Sequence, residues 1–276
     1  PPSPLHLFRP SGGQGMPQIR VGTMGFSYRE WVGPFYPRGT RPDDYLKRYS
    51  EVFDTVELDT TFYGIPRAWT VRTWARETPP DFRFTLKLPR SITHEKGLEG
   101  ATEELLAFVK AVEPLGEKLS ALLIQMPPSF RPDRREALMG FLRELPRDVP
   151  FALELRDPDW MTSETADALR ELGICWVGVD MPGMPRTIPT TSQLTYLRLL
   201  GDHKQIVSKD RVVMDREDEL EKWARALEEI AFRGLSCLVF VNNHYTGHSP
   251  TTVNRLKDLL GLPQRHPAGA LQIELF

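Results

Sequence analysis

Along this chain, short apolar runs repeatedly end in, or alternate with, a charged or amide residue. Leu238-Val239-Phe240-Val241 runs into Asn242-Asn243-His244. Val56-Glu57-Leu58-Asp59, Thr85-Leu86-Lys87, Leu153-Glu154-Leu155-Arg156 and Tyr196-Leu197-Arg198 share the habit. Segments of helical period lie between them. The pattern predicts strands at Ile19–Gly25, Thr55–Tyr63, Phe82–Leu88, Leu119–Met126, Phe151–Arg156, Cys175–Asp180, Leu194–Leu200 and Leu235–Asn242. Helices are predicted at Asp43–Phe53, Ala68–Glu77, Thr102–Val112, Asp133–Glu144, Ser163–Leu172, Glu217–Ile230 and Pro250–Leu260, with Asp43 or Asp44 near the first N-cap and Ser163 or Thr162 capping the fifth helix.

Eight strands separated by helices predict an α/β fold, a single (β/α)8 TIM-like barrel. One unit differs: between strands six and seven, Met181–Gln193 holds Pro182, Pro185 and Pro189 and has no helical period, so an irregular crossover is expected. Residues 1–18 read as a disordered leader or tag, with Met16 as the expected natural start; 19–261 form the barrel, and 262–276 a flexible C-terminal tail.

Side chains alternate across a strand, so parity separates barrel-facing from helix-facing positions. If the apolar face meets the helices, Glu154 and Arg156 point into the barrel from strand five. The same rule turns Glu57, Asp59 and Thr61 inward from strand two, with Val56, Leu58 and Phe62 outward. It places Lys87, Gln125, Asp180 and Arg198 inside, and one of Asn242 and Asn243. Acids Glu57, Asp59, Glu154 and Asp180 then face bases Lys87, Arg156 and Arg198 at one mouth. Buried charges are costly unless paired. The group is either a self-neutralising network filling the barrel or a functional site, since barrel enzymes draw catalytic groups from several strand ends in this way.

The chain has 276 residues, 40% hydrophobic, close to the about 250 typical of this fold. A net charge of −2 and a pI near 6.4 argue against a general nucleic-acid coat but leave room for a local basic groove. Cys175 and Cys237 sit within apolar runs, which fits reduced thiols and a cytoplasmic location. No run approaches the roughly 20 apolar residues of a membrane span.

Gly22-Thr23-Met24-Gly25 is either a phosphate-binding turn or simply a tight turn. Phe26, Tyr28, Trp31, Phe35 and Tyr36 form either a hydrophobic lid or a stacking platform for a base or sugar. His94, His203, His244 and His248, with the carboxylates, could hold a divalent metal, but H-x-H and H-E-x-x-H spacings are absent and three cations would repel the ion. No metal is therefore favoured, and His244 and His248 are expected to order the loop into the last helix. Arginine forks and a lysine suit a phosphate or other oxyanion. The expected catalytic residues are Glu57, Lys87 and Glu154, with a glutamate as general base. The expected substrate-binding residues are Tyr28, Tyr63, Gln125, Arg156, Asp180, Arg198, Asn242, Asn243, His244 and His248. The glutamate-rich helix 217–230 reads as a solvated face.

At these residues the chain resembles the DUF72 family, the YecE-like barrels. The resemblance rests on Gly22 through Tyr28 with Trp31, Gly33 and Phe35-Tyr36-Pro37; on Val56 through Gly64; and on Phe84 through Lys87 with Ile92-Thr93-His94. It continues in Gln125 through Phe130, Glu154-Leu155-Arg156 with Trp160, Tyr196-Leu197-Arg198 and Asn242-Asn243-His244 with Gly247-His248. It spans roughly residues 19–261 and implies a TIM barrel similar in outline to the endonuclease IV and xylose isomerase group. The family usually has Asn where this chain has Asp59, and often His where it has Leu200. The resemblance fixes no reaction. The residues themselves predict an enzyme for a phosphorylated or anionic substrate, of hydrolase or phosphodiesterase type and including nucleic acid. The alternative is a non-catalytic nucleotide- or DNA-binding module.

After a Pro/Gly-rich stretch the chain ends in Gln272-Ile273-Glu274-Leu275-Phe276. This is similar to the Gln-x-x-Leu-Phe peptide with which bacterial repair and replication proteins dock on the sliding clamp. Gln272, Leu275 and Phe276 are the expected partner-binding residues; the bland alternative is that Leu275 and Phe276 pack on the barrel.

Overall fold

A computed structural model describes residues 18–265. Met16 with the leader before it, and the Gln272–Phe276 peptide, lie outside the described residues.

Eight parallel strands close into a barrel in sequence order. They are β1 Ile19–Met24, β2 Thr55–Leu58, β3 Arg83–Lys87, β4 Leu119–Gln125, β5 Phe151–Glu154, β6 Cys175–Asp180, β7 Leu194–Leu199 and β8 Ser236–Val241. The longer helices are α1 Tyr45–Val52, α2 Ala68–Glu77, α3 Thr102–Val112, α4 Arg135–Arg143, α5 Ser163–Leu172, α6 Glu217–Phe232 and α8 Ser249–Leu259, with a short α7 at Asn243–Thr246. Among the described residues, no helix is long and apolar enough to cross a membrane.

Local chemistry sets the ends. The Thr162 hydroxyl caps α5 by accepting from Thr165 N at 3.2 Å. The Asn242 side chain caps α7 by accepting from His244 N at 2.9 Å; four residues are too short to show a period, so this helix is invisible in the hydrophobic pattern. β2 stops at Leu58 and the chain turns into a 3-10 helix at Thr60–Tyr63. The Thr61 hydroxyl secures that turn, reaching Leu58 O at 3.2 Å and Lys87 O at 2.7 Å. Strand alternation therefore does not extend to Phe62, whose ring lies beneath Lys87 instead of facing the helices.

Two apolar clusters follow the alternation. One lies between barrel and helices. The other fills the barrel and includes Met24, Leu123, Ala152, Val177, Tyr196 and Phe240. Cys175, Val177 and Val179 belong to the inner set, so Trp176, Gly178 and Asp180 face outward. This corrects the placement of Asp180 inside the barrel. Parity gave the wrong answer because it assumes that the apolar face meets the helices, whereas in β6 that face fills the barrel and the acid finds its partners on the helix side. Asp180 accepts from Trp223 Nε1 of α6 at 2.9 Å, Tyr245 OH of α7 at 2.8 Å and Arg186 Nε of the crossover at 3.0 Å. The crossover has no helix, as its prolines predict, and packs tightly on β6. A methyl group on Gly178 would lie 2.5 Å from Thr187 O.

Candidate functional site

The register places charged groups from three strands at one level inside the barrel. Arg198 on β7 is the hub. Its Nε and Nη2 donate to Glu57 Oε2 and Oε1 at 3.0 and 2.7 Å, and Nη1 donates to Glu154 Oε2. Tyr196 OH donates to Glu57, and Arg156 Nε donates to Glu154 Oε1. Glu57, Glu154, Tyr196 and Arg198 are all buried. Mutual pairing is what makes burial of these charges tolerable. Burial would raise the Glu154 carboxyl, but Arg156 and Arg198 outweigh it and hold the group down at about 2. Burial pushes Glu57 up, and the Arg198 fork opposes the rise. Both carboxylates are committed to arginine, which leaves them poor general bases.

Nearer the solvent the picture changes. Thr85 pairs with Glu57 in the β2–β3 register, so Lys87, two residues on, stands one step closer to the mouth on the same face. Its Nζ lies 3.8 Å from the Phe62 ring centroid. Among the described residues it has no ion pair. Burial, then the Arg198 charge, lowers its amine to about 8, with Asp59 and Glu154 pulling the other way. His94 follows on a single π-helical turn, Ser91–Glu95. Its Nδ1 is 2.8 Å from the Thr93 hydroxyl, and its ring is edge-on to Phe62 at 4.9 Å. Burial, then Lys87, Arg90 and Arg156, brings it down to about 4.

The segment after β7 completes the mouth. Gly201 has φ +68°, and a side chain there would strike His244 O, so glycine lets residues 201–216 turn across the opening. His203 on this segment is edge-on to His244 at 4.4 Å. The Ile206 carbonyl can only accept, so His244 donates to it from Nδ1 at 3.0 Å, leaving Nε2 with a lone pair in the neutral ring. Burial, followed by His244 and Arg156, lowers His203.

The remaining predicted residues divide by position. Gln125 is buried at the end of β4 beside Glu154, its Nε2 donating to Met126 O at 2.5 Å. Asn242 reaches Met24 Sδ at 3.5 Å and so belongs to the mouth. Asn243 points to the rim instead: its Oδ1 accepts from Trp31 Nε1 at 3.3 Å and from Ser249 N at 3.0 Å. His248 binds the Thr251 hydroxyl at 2.7 Å at the start of α8, away from the arginines. Tyr63 is 86% exposed on the outer rim. The aromatic cluster is mainly a lid: Trp31 and Tyr36 are buried, and Phe35 stacks on Phe53 at 5.4 Å. Phe26, Tyr28 and Phe35 are half-buried, and Tyr28 donates to Met24 O at 2.8 Å. With Asp59 and Thr61 it lines a hollow of about 520 Å³ that runs toward Pro66 and Trp74.

Sequence reasoning missed Tyr196 and Phe62 and left His94 and His203 as metal candidates. Tyr196 was within reach, being two residues before Arg198 on one strand face. Phe62 and His94 required the two irregular turns. Among the described residues no three His, Cys, Asp or Glu side chains converge as a metal set. The larger hollow, about 690 Å³, opens at the opposite end of the barrel between Leu142, Leu145, Phe151 and Ile174. In this fold the N-terminal end serves stability and the C-terminal mouth serves chemistry, so the charged mouth is the stronger site, although the hollow beside it is lined by none of Lys87, Arg156 and Arg198.

A family model described as "Protein of unknown function DUF72" matches residues 20–273. The chain belongs to the DUF72 family. It is 27% identical to UPF0759 protein YunF of Bacillus subtilis over 88% of this chain and 95% of that protein. It is 30% identical to UPF0759 protein YecE of Escherichia coli over 49% of this chain, a match spanning half of the relative's own length (50%). Among solved structures, a DUF72 family protein of Thermotoga maritima superposes with a TM-score of 0.77 at 33% identity, covering 88% of this chain and 99% of that one. One from Enterococcus faecalis gives 0.75 at 22% identity, covering 91% and 98%, a likeness of fold.

Proposed function

We propose that this DUF72 barrel is an enzyme that takes a phosphorylated or otherwise anionic substrate at its C-terminal mouth. One observation carries the reading: the site has two layers. In the deep layer, Glu57 and Glu154 are matched by Arg198 and by one edge of Arg156. In the upper layer, Lys87 Nζ, the Nη groups of Arg156, His94 Nε2 and the His203 ring have no hydrogen-bond partner among the described residues. Arginine and lysine donors left over after internal pairing suit an oxyanion.

Phosphate-ester cleavage, on a small molecule or a nucleic-acid end, is the reaction this supports best. Arg156 would stabilise charge developing on the phosphoryl oxygens. Lys87, lowered to about 8, would exchange a proton with the attacking or leaving oxygen. Glu57 and Glu154 then position Arg198 and Arg156 and are not themselves the base. The hollow beside Tyr28 and Asp59 gives an extended substrate room to leave the mouth.

The test is turnover by wild type and Lys87→Met across phosphate monoesters, diesters and abasic DNA. The expected result is activity on at least one class, reduced about a hundredfold or more in the variant. Salt-dependent binding of these compounds without turnover would overturn the enzyme reading in favour of a nucleotide- or DNA-binding module.

A further inference from the structure

We propose that Lys87 forms an imine with a small aldehyde or ketone that carries a phosphate or carboxylate, its anionic group held by Arg156. The proposal rests on the anion-binding reading of the mouth and adds to it a covalent reactivity of the same amine.

The arrangement of neighbouring charges carries it. The carboxylates that act on Lys87 are Asp59 and Glu154, and both lie within ion-pair range of Arg198, although Asp59 Oδ1 makes no hydrogen bond among the described residues. Glu57 and Glu154 are bound by Arg198, and Asp59 Oδ1 lies 3.9 Å from Arg198 Nη2. The Lys87 amine is therefore left beside acids without an ion pair among the described residues. Its position is that of a nucleophile: the last residue of a barrel strand, half-buried, with the face of Phe62 on one side. Lys118 shows the opposite design. Its amine donates to Ala75 O and Thr78 O, both at 2.6 Å, and is locked as a structural cation. Burial and two arginines bring the Lys87 amine to about 8. Near that pH it holds about a hundredfold more unprotonated amine than an ordinary lysine. A desolvated lysine beside other cations is a known way to make this nucleophile.

The chemistry balances without an oxidant or reductant. The unprotonated Nζ attacks the carbonyl carbon, and the C=O π pair moves to oxygen. That oxygen takes up a proton while the nitrogen releases one. The carbinolamine then loses its hydroxyl as water, with a proton taken from the medium, and the nitrogen lone pair closes the C=N bond. The product is first the protonated imine; loss of its N–H proton returns the borrowed one to the medium, so amine plus carbonyl gives imine plus water.

The experiment treats the full chain with a phosphorylated aldehyde, pyridoxal 5′-phosphate, or with pyridoxal, at a pH of about 8. Sodium cyanoborohydride then reduces any imine, and peptide mass spectrometry maps the adducts. The expected result is an adduct at Lys87 exceeding any other lysine by about tenfold or more, since its free-amine advantage is about a hundredfold. Inorganic phosphate should suppress it, and pyridoxal should give less. Lys87→Met should lose the adduct while keeping its melting temperature. Adducts spread over surface lysines with no excess at Lys87 would overturn the proposal. If calorimetry still shows inorganic phosphate binding in that case, the anion site stands and imine chemistry alone falls. If phosphate does not bind either, both fall.

Discussion

Arg198 on β7 and Glu57 on β2, 141 residues apart in sequence, meet inside the barrel through two hydrogen bonds of 3.0 and 2.7 Å. The same guanidinium also binds Glu154, so one residue bridges two buried acids, with Arg156 supplying the second positive charge. Arg198→Met should therefore cost about 3–5 kcal/mol, because it leaves buried Glu57 with Tyr196 OH but no cation and leaves Glu154 to Arg156 alone. Urea denaturation at neutral pH measures this. Adding Glu57→Gln to Arg198→Met should recover part of the loss. A cost below about 1 kcal/mol for the single variant would mean that the network does not hold the barrel together.

Acid should expose the same network. Glu154 is depressed to about 2 in the folded chain against about 4.3 unfolded, so its stabilisation is present above pH 4.3 and lost as the pH falls toward 2. The shift corresponds to roughly 3 kcal/mol. His94 and His248, each lowered to about 4, add a loss that starts earlier, below about 6.5, because the unfolded chain takes up their protons first. Glu57 works in the other direction, since a raised carboxyl favours the folded state as the pH falls. Glu154→Gln should be less stable than wild type at neutral pH, and the two should converge between pH 4 and about 2. Parallel curves over that range would show that Glu154 is not the titrating acid.

Asp180 provides a structural control. It holds Trp223, Tyr245 and Arg186 outside the barrel. Asp180→Ala should cost about 3 kcal/mol by leaving a buried indole N–H and a buried phenol unpaired. Ligand affinity at the mouth should be unchanged, as calorimetry can check. A selective loss of affinity with intact stability would return Asp180 to the site.

The contrast between Asp180 and Arg198 shows what the sequence could reveal. Alternation placed Glu57, Lys87, Glu154 and Arg198 inside because their strands have one apolar face and one mixed face. β6 has the same two kinds of face, but there the apolar one fills the barrel and the mixed one, with Asp180, faces the helices, a choice that depends on Trp223 and Tyr245 far along the chain. Helices α2 and α3 coincide with their 3.6-residue pattern, because amphipathic periodicity is local. The pairing partners of Arg198 come from β2 and β5 and depend on barrel closure, which no local window contains. Phe62 and His94 reach Lys87 only through a 3-10 turn and a π turn, and neither has a hydrophobic period to betray it.

The C-terminal peptide makes an independent prediction. Gln272, Leu275 and Phe276 should dock on a bacterial sliding clamp, and a chain lacking residues 272–276 should lose that binding while its melting temperature stays nearly unchanged. Micromolar affinity is expected of a short peptide that must be ordered on binding. A sharply lowered melting temperature would mean that Leu275 and Phe276 are packing residues.

Calorimetric titration of inorganic phosphate into wild type and Arg156→Ala tests the anion-binding mouth most directly. Wild type should bind saturably, with affinity that weakens as salt rises. Arg156→Ala should bind about tenfold or more weakly, the loss of one charge-assisted hydrogen bond. Equal binding by the two proteins, or none by wild type, would contradict an anion site built on the donors left free above the Glu57–Arg198–Glu154 layer.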